Sequence, residues 1–414
     1  MFGKLRANPL PVVLFTVFID LLGYGILFPI IPQLLANPRS EFFLLPPGMT
    51  LNQGYIMLGF LIAIFPFMQF IATPILGQLS DKFGRKPVLA ASMIGTCLSY
   101  LMFAFAIITK NIPLLFISRG FDGITGGNIS VAQAALADMS TKENRTKVFG
   151  MMGAAFGIGF IIGPYLGGKL SDPTVMSWFN AATPFWFAAI LSSINIFSLF
   201  VFFPETNKHI QKTLSINWIK SIRDIIQAYN LKQLRPLFLT NFLFQGGFAF
   251  YTTFAAVFLI TRFHYTSSNI GDFFAYIGLW IAITQGLLTR KVSARFSEIK
   301  VLRVSLFMCG VVLLVYFLPT VWWQILLVAP FFALFMGLSQ ANIAGLISRS
   351  ADPHIQGEVL GINSSVQALA QTIPAALSGY IAASMGPNTP VVVSAIIIMG
   401  AALFFIWSVR QRSS

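Results

Sequence analysis

Charged side chains are scarce in this sequence. They make up 10% of its 414 residues, whereas a soluble domain carries about 25%. This scarcity excludes an ordinary water-soluble domain, whose surface needs such groups. Cysteine is scarcer still: Cys97 and Cys309 stand far apart in apolar segments, which indicates packing and offers no basis for a disulfide or a metal site.

Motifs for catalysis are missing as well. The sequence has no Walker A phosphate loop, no H-E-x-x-H and no G-x-S-x-G. Its three histidines, His209, His264 and His354, fall near predicted loops. We therefore expect a protein that is not an enzyme, does not pump with ATP, and holds no cofactor and no metal ion.

Long apolar stretches are abundant. Hydrophobic residues fill 56% of the positions, and about 20 mostly apolar residues suffice to cross a bilayer. Backbone groups find no water there, so such stretches form helices, and no period-two alternation favours a β-barrel. We predict an all-α membrane protein with twelve transmembrane helices, at residues 9–36, 51–79, 87–109, 113–138, 148–171, 183–204, 234–262, 269–289, 301–319, 322–349, 359–384 and 389–409.

The net charge of +14 is explained by topology. If the first span starts in the cytoplasm, 22 of the 27 lysines and arginines lie in cytoplasmic segments, as the positive-inside rule requires. Both termini are then cytoplasmic. We expect a multi-pass protein of a bacterial inner membrane, embedded in the lipid bilayer as a monomer, that binds no nucleic acid.

A basic connector divides the predicted spans into two sets of six. We expect an N-terminal six-helix bundle at 1–204, a cytoplasmic linker at 205–233 and a C-terminal six-helix bundle at 234–414. Similar segments recur about 210 residues apart, and Gly168 corresponds to Gly379 in this repeat. The offset indicates two pseudo-symmetric copies, a common plan among transporters.

The linker contains an apolar stripe. Trp218, Ile222, Ile226 and Tyr229 recur at helical spacing, opposite basic and polar residues. The pattern predicts an amphipathic helix on the membrane surface, and a solvated linker is the alternative.

Asp20 stands in the first predicted span. A carboxylate at the centre of a membrane helix costs about 2.5–3.5 kcal/mol on insertion scales. Loss of hydration favours its protonated form, so we expect Asp20 to exchange a proton with water. A carboxylate paired with a structural partner is the alternative.

Arg119 and Asp122 lie three residues apart in the fourth span. They share one helix face and can therefore pair. The pair is either structural or functional. In the functional interpretation, Arg119 controls the protonation of Asp20 or Asp122 by moving toward or away from it, which couples helix movement to proton release.

The fifth span is rich in small residues. Gly159, Gly163 and Gly167 recur every four residues, with Pro164 and Gly168 beside them. This stripe predicts close helix packing with a bend.

Several amides fall inside predicted spans. Asn363, Gln367 and Gln371 recur every four residues and make one face of the eleventh span polar. They line a substrate cavity or hydrogen-bond neighbouring helices, and the sequence leaves both possibilities open. The candidate cavity residues are Asn128, Gln245, Gln340, Asn363, Gln367 and Gln371.

The charged segment Gly77–Pro87 separates the second and third spans. Its pattern, G-x-L-x-D-x-x-G-R-K-P, predicts a tight cytoplasmic loop between two membrane helices. Its candidate gating residues are Gly77, Asp81, Gly84, Arg85 and Lys86.

Together these segments resemble the drug:proton antiporter branch of the major facilitator superfamily, and most of all the tetracycline-resistance-like exporters. The matching segments are Asp20–Pro32, Gly77–Pro87, Arg119–Asp138, Gly159–Gly168 and Pro204–Asn207. The resemblance implies two six-helix bundles with alternating access. It also implies that Asp20 is the membrane carboxylate and Arg119 its partner, and that Asp81 and Arg85 form a lock in the outward-facing state.

The prediction that results is a secondary active transporter, a proton-coupled antiporter that exports an amphipathic organic compound. Its partners would be a small-molecule substrate and protons. An uptake symporter or facilitator of a small metabolite is the first alternative, and a non-transporting membrane receptor is the second.

The sequence also departs from the tetracycline exporters. Ser99 stands where they carry an acid in the third span, the predicted ninth span has no acid, and Asp122 is added to the arginine motif. We therefore expect a substrate other than tetracycline.

Overall fold

A computed structural model describes residues 9–141, 144–208, 210, 215–351 and 356–413, and all its regular elements are helical. The helices are α1 (Leu10–Leu35), α2 (Leu51–Phe83), α3 (Arg85–Ile108), α4 (Ile112–Thr125), α5 (Ile129–Asp138), α6 (Arg145–Leu170), α7 (Thr183–Phe202), α8 (Lys220–Asn230), α9 (Arg235–Phe263), α10 (Ser267–Ile283), α11 (Thr289–Ser293), α12 (Glu298–Val315), α13 (Trp322–Ser350), α14 (Gln356–Met385) and α15 (Thr389–Ser413). His209 and His354 lie outside the described residues.

Nine helical segments of the described chain are long and apolar enough to cross a membrane: α1, α2, α3, α6, α7, α9, the α10–α11 segment, α13 and α15. The other three predicted spans coincide with α4–α5, α12 and α14. The α4–α5 segment is interrupted by a 3₁₀ turn at Gly126–Asn128, and α14 carries three of the amides noted above. For these segments, membrane crossing stays a prediction.

The charged segment Gly77–Pro87 is almost entirely helical, and the loop that the sequence predicted is reduced to a turn at Gly84. Helix α2 continues to Phe83 and α3 begins at Arg85, so only Gly84 lies outside a helix. The backbone turns at Gly84 with φ of 103°, a conformation that glycine adopts at little cost. One residue therefore suffices to reverse the chain, and the charges project from helix ends.

The helices pack in two sets. In the first set, α1 packs on α6 and α7, α2 packs on α4, and α3 packs on α4 and α7. In the second set, α9 packs on α14 and α15, α12 packs on α13 and α15, and α10 packs on α13. Each set surrounds its own cluster of buried apolar side chains. The extensive contacts between the sets are those of α2 with α14 and of α6 with α10. The division into bundles at 204 and 234 stays a prediction.

Glycines allow the two sets to touch at one end of the molecule. A Cβ on Gly59 would lie 2.7 Å from the carbonyl oxygen of Ala375, and one on Gly168 would lie 2.9 Å from Cα of Gly271. Beside the second contact, Lys169 Nζ lies 2.8 Å from a carboxylate oxygen of Asp272. We call this the outer end, and the end where α1 begins the inner end.

Candidate functional site

A cavity of about 360 Å³ lies between the two sets of helices. Most of its lining residues come from the middle of α1, α2, α4–α6, α9 and α14. Its polar and charged lining residues are Asp20, Tyr24, Gln69, Thr73, Tyr100, Asp122, Gln133, Gln245, Thr252, Gln340, Ser364, Ser365, Gln367 and Gln371. Phe28, Phe65, Phe160 and Phe248 are among its aromatic lining residues. Such a mixture suits an amphipathic molecule.

Asp20 lies in the wall of this cavity. Both of its carboxylate oxygens are shielded from solvent, and neither has a hydrogen-bond partner of good geometry among the described residues. The side chains of Asn128, Asp122 and Tyr100 lie near it. A carboxylate that is buried without a partner is strongly destabilised when charged. Asp20 therefore lacks the pairing that buried carboxylates usually have.

Arg119 pairs with Asp122 and not with Asp20. Its Nη1 atom donates to Oδ2 of Asp122 at 2.5 Å, and Ser99 Oγ donates to the other carboxylate oxygen at 3.1 Å. The Arg119 guanidinium also lies 4.5 Å from the ring centre of Phe65. Both charged side chains are almost fully buried, so the pair compensates two charges that would otherwise be costly.

The predicted cavity amides separate into two groups. Gln245, Gln340, Gln367 and Gln371 line the cavity. Asn363 does not: its Oδ1 atom accepts a hydrogen bond from Asn241 at 2.7 Å, which connects α14 to α9.

Asn128 is also absent from the cavity lining. It is fully buried, its amide nitrogen points to the sulfur of Met93, and its amide oxygen has no hydrogen-bond partner among the described residues.

The glycine stripe of α6 lies against α1. A Cβ on Gly159, Gly163 or Gly167 would lie within 3 Å of the α1 backbone or Leu21 Cβ. Pro164 reaches the other set of helices, because a Cβ on Gly271 would lie 2.5 Å from its carbonyl oxygen. The small residues therefore bring α6 into close contact with both α1 and α10.

At the inner end, Arg85 is the centre of a polar cluster. Its guanidinium lies 2.6 Å from Asp81 and 3.1 Å from Asp138, and its Nη1 atom also donates to Ser80. These partners all belong to α2 and α5, within the first set of helices. In this arrangement Arg85 thus binds within one set and does not connect the two.

Glu205 completes this cluster. Its carboxylate accepts hydrogen bonds from the backbone N–H groups of Arg85 and Lys86, at 2.8 and 3.1 Å, and so satisfies free donors at the start of α3. The carboxylate also lies where a Cβ on Gly84 would be. The Lys86 ammonium donates to the carbonyl oxygen of Phe200 at 3.0 Å. Gly77 has more room, because its nearest neighbour, Ser130 Oγ, would lie 3.5 Å from a Cβ.

Comparison with known proteins agrees with this arrangement. The sequence matches the Major Facilitator Superfamily over residues 13–374 and 237–414. The chain belongs to the major facilitator superfamily. It is 32% identical over 355 residues to the class H tetracycline resistance protein of Pasteurella multocida. The matched region covers 84% of this chain and 83% of that protein.

Two solved structures share the major facilitator fold. The human organic anion transporter MFSD10 superposes with a TM-score of 0.70 at 22% identity, over 97% of this chain and 99% of that one. A D-xylose–proton symporter superposes with a TM-score of 0.77 at 15% identity, over 96% of each chain. The protein is therefore a multi-pass membrane protein with the all-α major facilitator fold and tetracycline-efflux relatives.

Sequence reasoning missed several residues of this major facilitator site. Tyr24, Gln69 and Gln133 line the cavity, but a lone polar residue in an apolar span gives no sign of which face it occupies. Gln69 also donates to the carbonyl oxygen of Gly126 at 2.9 Å, beside the 3₁₀ turn. Glu205 appears in the sequence analysis only as part of the Pro204–Asn207 motif. That motif could have marked Glu205 as a candidate site residue.

Proposed function

We propose that this protein is a proton-coupled antiporter that exports a neutral or cationic amphipathic organic compound. The observation that carries the proposal is the Asp20 carboxyl group, which lies in the cavity wall without a hydrogen-bond partner among the described residues. A group in this position holds a proton while the cavity is empty, and ionises when a positive charge or water reaches it.

The state of Arg119 supports this role for Asp20. Arg119 is neutralised by Asp122, so it does not stabilise an ionised Asp20. A shift of α4 that separates Arg119 from Asp122 would free a positive charge next to the cavity and favour loss of the Asp20 proton. Asp122, bonded to Ser99, supplies a carboxylate at the third-span position where the tetracycline exporters carry their own acid.

The closed outer end fixes the route of one step of the exchange, whose net direction is set by the proton gradient. Because the two sets of helices touch at Gly168 and Gly271, a proton released from Asp20 leaves toward the inner end. A cationic substrate that enters from the same side favours the ionised carboxylate and so expels that proton. When the outer end opens, substrate leaves and Asp20 binds a proton again, which completes one cycle of alternating access.

The charges of the cavity-lining residues support a neutral or cationic substrate over an anionic one. Among its lining residues Asp20 and Asp122 are acidic, and none is Lys, Arg or His. Arg119 compensates Asp122, so an ionised Asp20 is the group that would repel an organic anion and attract a cation. Glutamines supply hydrogen bonds, and phenylalanines supply apolar walls, which suits a compound with one polar and one apolar face.

Reconstituted protein tests the proposal. Tetracycline, suggested by the names of the relatives, and tetraphenylphosphonium, a lipophilic cation, are added to proteoliposomes that contain a pH-sensitive dye. We expect one of them to trigger proton movement in wild type, and that response to vanish in Asp20→Asn. The matched control is Glu41→Gln, which removes an exposed acid and should leave the response intact.

Three results would contradict this proposal. A normal response of Asp20→Asn would remove the carboxylate from the mechanism. Accumulation of the probe together with protons would indicate the symporter alternative. Transport of an organic anion in preference to either probe would contradict the substrate charge.

A further inference from the structure

Helix α8 of the linker bridges the two sets of helices. Ser221 Oγ donates to the backbone carbonyl of Phe70 on α2 at 2.6 Å. On the other side, Ser365 Oγ on α14 donates to the Asp224 carboxylate at 3.1 Å. Phe70 and Ser365 both line the central cavity. Helix α8 therefore lies across the cleft between α2 and α14, at the level of the cavity.

This cleft is where α2 and α14 separate. The two helices are in direct contact near the outer end, where a Cβ on Gly379 would lie 2.6 Å from the carbonyl oxygen of Tyr55. Phe70 lies about 22 Å along α2 from Tyr55, at 1.5 Å per residue. At that depth α8 contacts both helices. It therefore spans the cleft between them, beside the cavity.

Each side of α8 has a different chemistry. Ser221, Asp224 and Ala228 are buried against the bundle. At 100° per residue, Ile222, Ile226 and Tyr229 share a second side, where they are 56–61% exposed. Just before the helix, Trp218 and Ile219 are also exposed, at 68% and 65%.

The third side is basic. Lys220 and Arg223 are exposed, and Lys232 and Arg235 follow the helix. At about 100° per residue, Lys220 lies about 120° from Ile226, and Arg223 lies at the edge of the apolar stripe, about 60° from Ile226. Asp224 is the only acidic residue between 215 and 235, and it is buried. The exposed charge around α8 is therefore entirely positive.

We propose that α8 is seated in an anionic lipid leaflet at the inner end and bridges the cleft between α2 and α14. Its apolar side contacts acyl chains, its basic side contacts anionic headgroups, and its polar side holds α2 and α14 at a fixed separation. The one-signed charge favours a lipid surface over a second copy of this chain, whose matching face would be equally positive. For the inner end to close, α2 and α14 must approach and α8 must leave the cleft.

Spin-label accessibility tests the lipid contact. Because Cys97 and Cys309 are the only cysteines, a Cys97→Ser/Cys309→Ser background accepts a single label at Ile222→Cys, Ile226→Cys or Lys220→Cys. In nanodiscs of phosphatidylcholine and phosphatidylglycerol, we expect the ratio of oxygen to aqueous nickel-chelate collisions to be several-fold higher at 222 and 226 than at 220. High nickel access at 222 and 226 would overturn the proposal, and so would a lack of access to both reagents, which would indicate a protein cover.

The charge requirement is tested in the same labelled protein. In nanodiscs of phosphatidylcholine alone, oxygen access at 222 should fall, and Lys220→Gln/Arg223→Gln should abolish this dependence on anionic lipid. The control is Lys300→Gln, which removes an exposed cation of α12 and should preserve the dependence. Equal lipid dependence in the double variant would overturn the headgroup contact. These measurements do not involve transport, so they are independent of the proposed antiport.

Discussion

At the scale of single residues, the site depends on the arrangement of three ionisable groups in a region of low dielectric. Arg119 and Asp122 compensate each other, whereas Asp20 has no such partner among the described residues. In the mechanism that we propose, Asp20 therefore exchanges the proton, and the ion pair stabilises the helix bundle until helix movement separates it.

The Arg119–Asp122 pair gives a stability prediction. Asp122→Asn leaves a buried guanidinium without its counter-charge and should lower the free energy of unfolding by about 3–5 kcal/mol. The double variant Arg119→Met/Asp122→Leu removes both charges and should recover most of that loss. Thermal unfolding of the purified proteins in detergent measures both effects. A double variant less stable than Asp122→Asn would contradict the pairing.

Gly84 gives a second prediction at this scale. Gly84→Ala combines a positive φ with an overlap between the new Cβ and the Glu205 carboxylate, so we expect a loss of about 1–3 kcal/mol. Gly150→Ala is the control, because a Cβ on that helical glycine would have nothing within 4 Å. Equal melting temperatures of the two variants would show that the turn tolerates a side chain.

At the scale of helices, close approach depends on particular glycines. Helix α6 contacts α1 at Gly163, where a Cβ would lie 2.7 Å from the carbonyl oxygen of Leu22 and 2.9 Å from Cα of Gly25. Neither backbone can move away without separating the helices. The glycine stripe therefore sets the distance between α6 and α1.

Matched alanine substitutions test this contact. Gly163→Ala should destabilise the protein by about 1–3 kcal/mol, because it overpacks the interface. Gly157→Ala on the same helix has open space and should be neutral or stabilising by up to about 1 kcal/mol. Thermal unfolding measures the difference. A Gly163→Ala variant as stable as Gly157→Ala would mean that the helices are not in close contact in the membrane.

Much of the fold follows from local sequence, because apolar length and glycine spacing act within one helix. The pairing of Arg119 with Asp122 follows from their three-residue spacing in the same way. Glu205 differs, because it caps a helix that starts 120 residues earlier in the chain, and no local pattern encodes that contact. The helical form of Gly77–Pro87 was missed because charged residues suggested a loop.

At the scale of the whole molecule, the two sets of helices are joined at the outer end and separated by the cavity further in. Lys169 and Asp272 connect α6 to α10 beside the glycine contact. The packing of α2 on α14 and of α6 on α10 closes the outer end, and this exposed ion pair adds a link across it. Opening it is required by the alternating-access cycle that we propose.

A reversible cross-link tests this requirement. In the Cys97→Ser/Cys309→Ser background, Lys169→Cys/Asp272→Cys joined by a short bifunctional maleimide with a cleavable spacer should abolish net transport while leaving substrate binding from the inner side. The single variants treated with the same reagent are the controls. Normal transport by the cross-linked protein would show that the outer end need not open.

Infrared difference spectroscopy of the cross-linked protein tests the central claim most directly. With the outer end held closed and no substrate present, we predict a protonated-carboxyl band that disappears when the bound probe displaces the proton, and that is absent from Asp20→Asn. A spectrum in which Asp20 stays ionised, with the probe and without it, would contradict proton exchange at this residue.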